Sequence, residues 1–421
     1  MNTKLPIAII GAGPIGLAAA AHAVSRGERV TVIEAGTTVG ANIREWEHVR
    51  LFSGWEYNMD KTAERLLEKT DWVKPAGDIH PTGEDLYRQY LLPLSQTDEL
   101  RDSIMLETKL IAAGRSGVDK VGDDREERPF MLHIKTKSGR KTILAKAVID
   151  STGTWNQPNP IGSGGIEAPG EEEASFFIQK NIPDILGRER RRYIDKKTAV
   201  IGNGHSAIHA VLALAELKKE HSATEIHWFI RGSAPRYGGG KADALPERGA
   251  LGLEVKALVE NGDICLHTNF RTEEVDCSEN TVSLAAEDGR VFGEFQNVVA
   301  NTGARPDFSI TRELRTSTDA KLESVPALAP LIDPNIHSCG TVRPHGEKEL
   351  RQPERNFYIV GAKSYGRAPT FLLAVGYEQV RSVIAYLTGD KEGAEKTGLH
   401  LPETGVCSSS SLQIPLQTSC C

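Results

Sequence analysis

Residues 5–34 read LPIAIIGAGPIGLAAAAHAVSRGERVTVIE, and this stretch decides the fold. A short apolar run is followed by three glycines spaced Gly11-x-Gly13-x-x-Gly16. The pattern then predicts an alanine-rich helix over residues 17–26 and a second buried strand over residues 29–34. A strand, a tight turn, a helix and a second strand in this order indicate the βαβ unit of a doubly wound α/β fold.

The glycine turn is a candidate site for the pyrophosphate of a dinucleotide. Glycines permit a tight turn and let backbone N–H groups approach a phosphate at the N-terminus of the following helix. Glu34 ends the next strand, where an acid accepts hydrogen bonds from ribose hydroxyls. The alternative is an ordinary tight turn between a strand and a helix. The residues assigned to this site are Gly11, Gly13, Pro14, Ile15, Gly16 and Glu34.

The same order of elements recurs near residue 200. A strand is predicted over residues 198–201, then the turn Gly202-x-Gly204-x-x-Ala207, a helix over residues 208–219 and a strand over residues 226–230. Arg231 then stands where the first unit has an acid. A guanidinium there suits a 2′-phosphate and favours NADPH over NADH, with a plain surface arginine as the alternative. The residues assigned to this turn are Gly202, Gly204, His205, Ser206, Ala207 and Arg231.

Two such units predict an α/β protein with two Rossmann-like, doubly wound nucleotide-binding domains of three layers. We place the first domain at residues 1–155 and 296–388, and the second at residues 196–295, inserted in the first. Residues 156–195 are rich in Pro, Gly and charge, and we expect a connector there. Residues 389–421 are rich in charged residues, Gly and Ser, which predicts a flexible tail.

Two further apolar strands end in Thr-Gly, at residues 147–153 and 298–303. Together with the two glycine turns, these strand ends resemble the flavoproteins with two dinucleotide-binding domains, in particular the flavin-containing monooxygenase branch. The resemblance implies FAD in the first domain and NADPH, less readily NADH, in the second. The positions that it adds to the cofactor sites are Gly153, Gly303, Gly361 and Thr370. At Ala362 this sequence departs from the family, which has an acid beside the flavin there.

The resemblance also places residues 42–58 beside the flavin. The polar and aromatic candidates in that segment are Asn42, Arg44, Trp46, Arg50, Ser53 and Asn58. Arg44 is assigned to the cofactor, and the candidates for a catalytic role are Arg44, Asn58 and Cys339. Each of these also has a structural interpretation, as a loop or helix-cap residue or, for Cys339, as a small core residue.

The spacing of the cysteines distinguishes the reactions of this group. A disulfide reductase needs a paired Cys-x-x-Cys or Cys-x-x-x-x-Cys near the flavin, and residues 1–406 contain no such pair. The resemblance therefore implies a monooxygenase, in which FAD reduced by NADPH adds O₂ to give a C4a-hydroperoxide that oxygenates a small soft nucleophile. One feature disagrees: the histidine of the monooxygenase signature is absent, since residues 162–193 contain no histidine.

Two alternatives stay open. One is an NAD(P)H-dependent flavin reductase or electron-transfer enzyme with a redox partner protein. The other is a flavoenzyme that handles a metalloid or mercuric ion through Cys407, Cys420 and Cys421, because soft thiolates bind soft ions. For these three cysteines the simpler interpretation is a tail with incidental thiols.

Composition limits the partners and the compartment. Lys and Arg number 50 and Asp and Glu 57, so the net charge is −7, which argues against a nucleic-acid partner. We find no run of about 18 apolar residues, the length that a membrane span needs, and no signal peptide. We therefore expect a cytoplasmic protein with reduced thiols whose partners are a small-molecule substrate and O₂. Whether it forms a homodimer stays open.

Overall fold

The structure is a computed structural model that describes residues 5–237, 246–336, 345–369 and 371–398. Within these residues the chain divides into two compact units. The first unit comprises residues 5–154 and 305–398, and the second comprises residues 155–304. The α/β fold class with parallel sheets, expected from the sequence, is confirmed.

A parallel five-stranded sheet forms the centre of the first unit. Its strands are β1 (Ile7–Ile10), β2 (Val30–Ile33), β3 (Ile104–Met105), β7 (Ala147–Asp150) and β16 (Phe357–Ile359). They lie in the order β16-β7-β1-β2-β3, so the chain reverses its direction across the sheet between β1 and β7. Ligands of such sheets bind at this switch point, beyond the carboxyl ends of the strands.

A second, antiparallel sheet of the first unit follows β3. It consists of β4 (Lys109–Arg115), β5 (Phe130–Thr136) and β6 (Gly139–Ala145). Along β5 the buried side chains alternate with more exposed ones, because successive side chains of a strand point to opposite faces. Phe130, Leu132 and Ile134 are fully buried and belong to the core of the first unit.

The helices of the first unit are mostly short. They are α1 (Pro14–Ser25), α2 (Ala41–Glu45), α3 (Trp55–Asn58), α4 (Lys61–Leu67), α5 (Gly83–Leu86), α6 (Leu92–Ser95), α10 (Ala329–Ile332), α11 (Glu347–Leu350), α12 (Leu373–Leu387) and α13 (Lys391–Glu395). The two longest, α1 and α12, pack against each other, and the four consecutive alanines of α1 are completely buried. Small side chains let two helices approach closely, which brings the N-terminal halves of α1 and α12 to the same region.

The second unit repeats this plan. Its parallel sheet consists of β8 (Ile178–Lys180), β9 (Lys197–Ile201), β10 (Glu225–Phe229), β11 (Cys265–His267) and β15 (Asn297–Ala300), in the order β11-β10-β9-β15-β8. An antiparallel sheet consists of β12 (Thr272–Cys277), β13 (Val282–Ala286) and β14 (Val291–Phe295), and the helices are α7 (Arg190–Tyr193), α8 (His205–Glu220) and α9 (Pro246–Glu260). The switch point lies between β9 and β15.

The boundaries of the units differ from those expected from the sequence. Strand β15, expected in the first domain, pairs with β9 and β8 in the second sheet. Strand β8 lies within residues 156–195, where we expected only a connector. Parallel strands that are buried on both faces share the same apolar composition, so the pattern shows that a strand exists but not which sheet it joins.

None of the described helices combines the length and the apolar composition needed to cross a membrane. Among the described residues, no group of three or more His, Cys, Asp or Glu side chains is arranged to hold a metal ion. The tail beyond residue 398 lies outside the described residues.

Candidate functional site

The first glycine turn connects β1 to α1 at the switch point of the first unit. Gly11 has φ +97°, a conformation that L side chains rarely adopt, and a Cβ there would lie 3.1 Å from the Ser151 carbonyl oxygen. At Gly16 a Cβ would come within 1.9 Å of the Gly11 carbonyl oxygen. These two glycines are therefore required by the close packing of the turn against the start of α1 and the end of β7.

Gly13 differs from its two neighbours in the motif. Its backbone, with φ −78° and ψ −174°, suits any residue, and a Cβ there would have no atom within 4 Å. Open space thus lies directly in front of the N-terminus of α1, where backbone N–H groups and the helix dipole favour an anion. This arrangement fits the pyrophosphate of a dinucleotide, because the missing side chain leaves the phosphate room to approach.

Glu34 is held by the same turn. Its half-buried carboxylate accepts hydrogen bonds from the backbone N–H groups of Ala12 and Gly36, both at 2.7 Å. A carboxylate has about four lone-pair sites, so two bonds to the backbone leave acceptors for ribose hydroxyls. The position expected from the sequence, at the end of β2 beside the glycine turn, is the one observed.

Three further segments of the first unit meet this turn. The Ser151 hydroxyl donates to the carbonyl oxygens of Ile10 and Gly11, at 2.8 and 3.2 Å. Gly361, with φ +69°, would place a Cβ 3.2 Å from the Ile15 side chain, and Gly376 of α12 would place one 2.5 Å from it. Ile15 is thus the common contact of the first turn, the turn after β16 and α12. The structure brings the predicted positions Ile15 and Gly361 together, and it adds Gly376, which was not predicted.

A buried ion pair lies at the same edge of the sheet. Lys363 Nζ is 2.6 Å from the carboxylate of Asp150, and each side chain is 1% exposed. Sequence analysis missed both residues, although Asp150 stands directly before the Ser-Thr-Gly strand end and Lys363 directly after Ala362. The signal in the sequence is a lysine shortly after one apolar strand and an acid at the end of another. Lysine and aspartate are rarely buried unless they are paired, so the two positions indicate a contact.

The segment of residues 42–58 lies in α2, in α3 and between them. Arg44 pairs with Glu47 at 2.8 Å, and its guanidinium lies 4.7 Å from the centre of the Tyr87 ring. Asn58 is 1% exposed. Its amide donates to the carbonyl oxygens of Ser53 and Gly54 and accepts from the Ser53 hydroxyl. The Asn58 side chain therefore holds the turn before α3, which is the structural interpretation considered for it.

The second glycine turn connects β9 to α8 and repeats the geometry of the first. Gly202 has φ +142°, and a Cβ there would lie 2.2 Å from the Asn301 carbonyl oxygen at the end of β15. Gly204, like Gly13, has an ordinary backbone conformation and no atom within 4 Å of a Cβ. The buried indole of Trp228 donates to the Gly202 carbonyl oxygen at 2.7 Å and so fixes this turn.

A surface depression of about 470 Å³ lies beside β10 and β12 of the second unit. Its lining residues are Ser163, Gly164, Arg231, Gly232, Arg271 and Glu287. Arg231 Nη1 donates to the Ser163 carbonyl oxygen at 3.2 Å, and Arg271 pairs with Glu287 at 3.6 Å. Two guanidinium groups at one depression suit a phosphate monoester. Sequence analysis predicted Arg231 and missed Arg271, which is 40 residues further along the chain.

Thr302 and Gly303 link two segments of the second unit by hydrogen bonds. The Asn159 N–H donates to the Gly303 carbonyl oxygen at 2.9 Å, and the Thr302 hydroxyl donates to the Asn159 carbonyl oxygen at 2.6 Å. Pro158 and Ala304 form an isolated β-bridge beside them. In this Thr-Gly strand end, Thr302 and Gly303 thus tie the segment that enters the second unit to the one that leaves it.

Several candidates lie outside the described residues. They are Cys339, Thr370, Cys407, Cys420 and Cys421. The roles suggested for them stay predictions. The described cysteines, Cys265 in β11 and Cys277 at the end of β12, both belong to the second unit.

Comparison with known proteins places these features in a family. Residues 8–330 match the family model of the pyridine nucleotide-disulphide oxidoreductases, a span that includes both glycine turns. The chain belongs to this family. This membership confirms the resemblance to dinucleotide-binding flavoproteins that was stated from the sequence.

Individual relatives of this oxidoreductase carry different names. The ferredoxin–NADP reductase of Lactococcus lactis subsp. cremoris (strain MG1363) is 30% identical over 219 residues, which cover 52% of this chain and 54% of that protein. The chain therefore matches only about half the length of that curated relative.

Solved structures share the fold. The bacillithiol disulfide reductase Bdr from Bacillus cereus has a TM-score of 0.64 at 19% identity, over 91% of this chain and 98% of that one. The ornithine N-hydroxylase of Kutzneria sp. 744 has a TM-score of 0.62 at 12% identity, over 92% of this chain and 99% of that one. The same fold thus occurs in reductases and in a hydroxylase, so the fold does not select between these reactions.

Proposed function

We propose that this protein is an NADPH-dependent FAD monooxygenase that oxygenates a small soft nucleophile. In this proposal FAD occupies the first unit and NADPH the second. A bound flavin supplies what no side chain can, the acceptance of a hydride and the passage of electrons to O₂. The residues of the chain bind and orient the two dinucleotides and exclude water.

The FAD site is assigned to the carboxyl end of the first parallel sheet. Backbone N–H groups after Gly13 face the open space where the pyrophosphate would lie, and Glu34 accepts from the ribose. The turn at Gly361 and the N-terminal part of α12 close the site from the side of Ile15. These roles rest on the fit between the open space at Gly13, the anchored acid and the helix N-terminus.

The NADPH site is assigned to the second glycine turn and the neighbouring depression. Gly204 has the same open space in front of α8. Arg231 and Arg271 both line the depression, and since Glu287 pairs with Arg271, the three side chains together carry a net charge of about +1. A 2′-phosphate carries the charge that distinguishes NADPH from NADH, and arginine recognises phosphate with paired N–H groups. The arrangement therefore supports NADPH as the reductant.

The observation that carries the choice of reaction is the absence of a dithiol from the first unit. Residues 1–264 contain no cysteine, and Cys339 is the one cysteine in the sequence between 305 and 398. A relay of electrons from flavin to a disulfide within the chain requires two thiols that can pair. Electrons that leave the flavin of this protein therefore go to O₂, to another molecule or, in the alternative that the sequence leaves open, to the thiols of residues 407–421.

Oxygen consumption tests the proposal. We expect purified protein with bound FAD to oxidise NADPH in the presence of O₂ and, without substrate, to form hydrogen peroxide. With the correct soft nucleophile the peroxide yield falls and an oxygenated product appears. NADPH oxidation that needs a protein or dye acceptor and leaves O₂ unconsumed would contradict the monooxygenase assignment.

The relative named ferredoxin–NADP reductase favours a second candidate, an NADPH-dependent reductase that passes electrons to a partner protein. Anaerobic turnover separates the two. A reductase sustains NADPH oxidation with a one-electron acceptor such as ferricyanide, reaching its full rate without O₂. A monooxygenase gives slow anaerobic turnover and recovers when O₂ is admitted.

A further inference from the structure

We infer that Asp150, Thr152 and Lys363 form a positioning network that holds the proposed flavin site together and sets the charge beside its two turns. The inference rests on the proposed FAD site in the first unit. It assigns a role to a buried lysine and a buried acid that neither the glycine motifs nor the family comparison assigns. The three residues do not touch the reacting atoms; they act through the turns that they join and through the balance of their charges.

The network is closed on itself. Lys363 Nζ donates to the Asp150 carboxylate at 2.6 Å and to the Thr152 hydroxyl at 3.0 Å. That hydroxyl donates in turn to the other oxygen of Asp150 at 2.7 Å. The ring of Phe308 lies 5.3 Å from the ammonium. Among the described residues, these bonds use two of the three N–H groups of Lys363, and both charged side chains are almost completely buried.

Its place in the fold connects the network to the candidate site. Asp150 is the last residue of β7, paired in register with Ile10 at the end of β1 and Ile359 at the end of β16. The next residue, Ser151, bonds to the first glycine turn. Lys363 belongs to the turn Gly361–Tyr365 that follows β16. The ion pair therefore ties the first glycine turn to the turn at Gly361.

Stability alone is a weak reason for such a pair. Removing two charges from water costs about as much as their attraction returns, and apolar replacements of similar volume are often as stable. A buried ion pair at a switch point also fixes geometry. The bond between Lys363 and Asp150 and the two contacts of the Thr152 hydroxyl allow a single arrangement of the first glycine turn and the turn at Gly361. This function predicts effects on the cofactor beyond effects on folding.

Charge gives the prediction its sign. The pair is neutral overall, so removing Lys363 leaves an unbalanced carboxylate, and removing the charge of Asp150 leaves an unbalanced ammonium. Reduced flavin carries more negative charge than oxidised flavin. An unbalanced carboxylate nearby disfavours reduction and lowers the midpoint potential, whereas an unbalanced ammonium raises it.

The experiment compares Lys363→Met, Asp150→Asn and the double variant with a control at a second buried ion pair, Arg115→Met. Arg115 pairs with Glu354 at 2.7 Å, with both side chains 2% exposed, and Arg125 pairs with the same carboxylate at 2.9 Å, so Glu354 keeps one partner in this variant. Glu354 lies before β16. The control therefore removes a buried cation near the start of β16, whereas Lys363 lies beyond the end of β16. For each protein we would measure the dissociation constant of FAD on reconstituted apoprotein, the flavin midpoint potential and thermal unfolding without cofactor.

We expect Lys363→Met to weaken FAD binding about tenfold and lower the potential, and Asp150→Asn to raise it. The double variant regains a potential near that of the wild type but not its affinity for FAD. Equal effects of Lys363→Met and Arg115→Met on affinity and potential would overturn the inference and leave only a structural pair.

Two further outcomes keep the test decisive. If Lys363→Met does not fold, Thr152→Val removes the bridging hydroxyl at nearly constant volume, and unchanged FAD affinity in that variant would overturn the inference. Wild-type protein that does not bind FAD would overturn the proposed function itself. The failure of the network and the failure of the FAD assignment are thus distinguishable.

Discussion

At the scale of single residues, the glycines of each motif fall into two groups. Gly11, Gly16 and Gly202 have no room for a side chain, because a Cβ would meet backbone oxygens of the protein. Gly13 and Gly204 have room and an ordinary backbone conformation. The first group serves the packing of the turn, and the second group leaves space that nothing in the described protein occupies.

This difference predicts the behaviour of two alanine variants. Gly13→Ala should leave the unfolding free energy of the apoprotein unchanged or raise it by up to about 1 kcal/mol, because alanine fits the backbone and restricts the unfolded chain. It should weaken FAD binding about tenfold or more, a cost of about 1.4 kcal/mol per decade. Gly204→Ala is the matched control, expected to weaken NADPH binding and leave FAD unaffected. Calorimetric titration measures both, and equal loss of both ligands in either variant would contradict the assignment.

Arg231 makes a second prediction at this scale. Arg231→Ala should raise the KM for NADPH about tenfold while the KM for NADH changes little, since a charge-assisted contact with the 2′-phosphate contributes about 1.5–3 kcal/mol. Arg188→Ala, which removes another exposed arginine of the second unit, serves as the control. Steady-state kinetics with both nucleotides provide the measurement. If both KM values rise equally, Arg231 does not read the 2′-phosphate.

The site could be predicted from the sequence only where its chemistry lies within one short segment. The glycine turns, Glu34 and Arg231 follow from local spacing. Lys363 and Asp150 are 213 residues apart, and only the pairing of β7 with β16 brings them together. Arg271 was missed for the same reason, because its partner Glu287 and Arg231 lie on other segments of the second unit. Local patterns carry no information about such contacts.

At the scale of elements, the neighbouring strands β10 and β11 carry a histidine pair, with His227 buried and His267 half-buried. His227 Nδ1 and His267 Nε2 are 2.9 Å apart, and the two rings are stacked at 5.2 Å. Phe229 and Phe292 pack against the ring of His267. Burial lowers the pKa of His267 from 6.5 to about 4, helped by His227, Arg290 and Lys197, and burial also lowers the pKa of His227 despite Glu225 nearby.

The lowered pKa of His267 makes the stability of the folded protein fall at acidic pH. Between pH 6.5 and about 4 the unfolded chain binds a proton at His267 that the folded chain does not, so stability falls as the pH falls through this range. The stability that depends on neutral His267 is fully present above pH 6.5. Its loss at low pH lowers the free energy of unfolding by on the order of 2 kcal/mol. His267→Gln keeps a hydrogen-bonding side chain but does not titrate. Urea unfolding at each pH should show a flatter profile for this variant, and identical profiles would contradict the prediction.

Elements were predicted more completely than their connections. Both βαβ units lie close to their expected positions. Helix α1 begins at Pro14, three residues before the start predicted at residue 17. The assignment of β15 to the first sheet was the larger difference. Its buried residues Val298 and Val299 would suit either sheet, so the choice depends on tertiary pairing with β9.

At the scale of the whole molecule, the two units have separate sheets and separate hydrophobic cores. If each unit binds its own dinucleotide, each ligand should protect a different part of the chain. A ligand at 100 times its dissociation constant stabilises the folded state by about 2.7 kcal/mol. FAD should slow hydrogen exchange in Ile7–Ile10 and Pro14–Ser25. The nucleotide 2′-phosphoadenosine 5′-phosphate should slow it in Lys197–Ile201 and His205–Glu220.

Hydrogen exchange followed by mass spectrometry makes this measurement, and 5′-AMP without the 2′-phosphate is the control for the nucleotide. If FAD protected only α8, or the 2′-phosphate nucleotide protected only α1, the FAD site would belong to the second unit and the NADPH site to the first. Equal protection of both helices by each ligand would contradict separate sites.

The contacts of Asn159 with Thr302 and Gly303 have a consequence for exchanging parts between proteins. The chain enters and leaves the second unit through two segments that are hydrogen-bonded to each other, with Pro158 beside Ala304. A domain whose two chain ends lie close together can be inserted into another protein with little change in the structure around it. Residues 155–304 could therefore be replaced as one cassette by the corresponding segment of another family member. If the second unit binds NADPH, such a graft would change the nucleotide that donates electrons while the rest of the chain keeps its own chemistry.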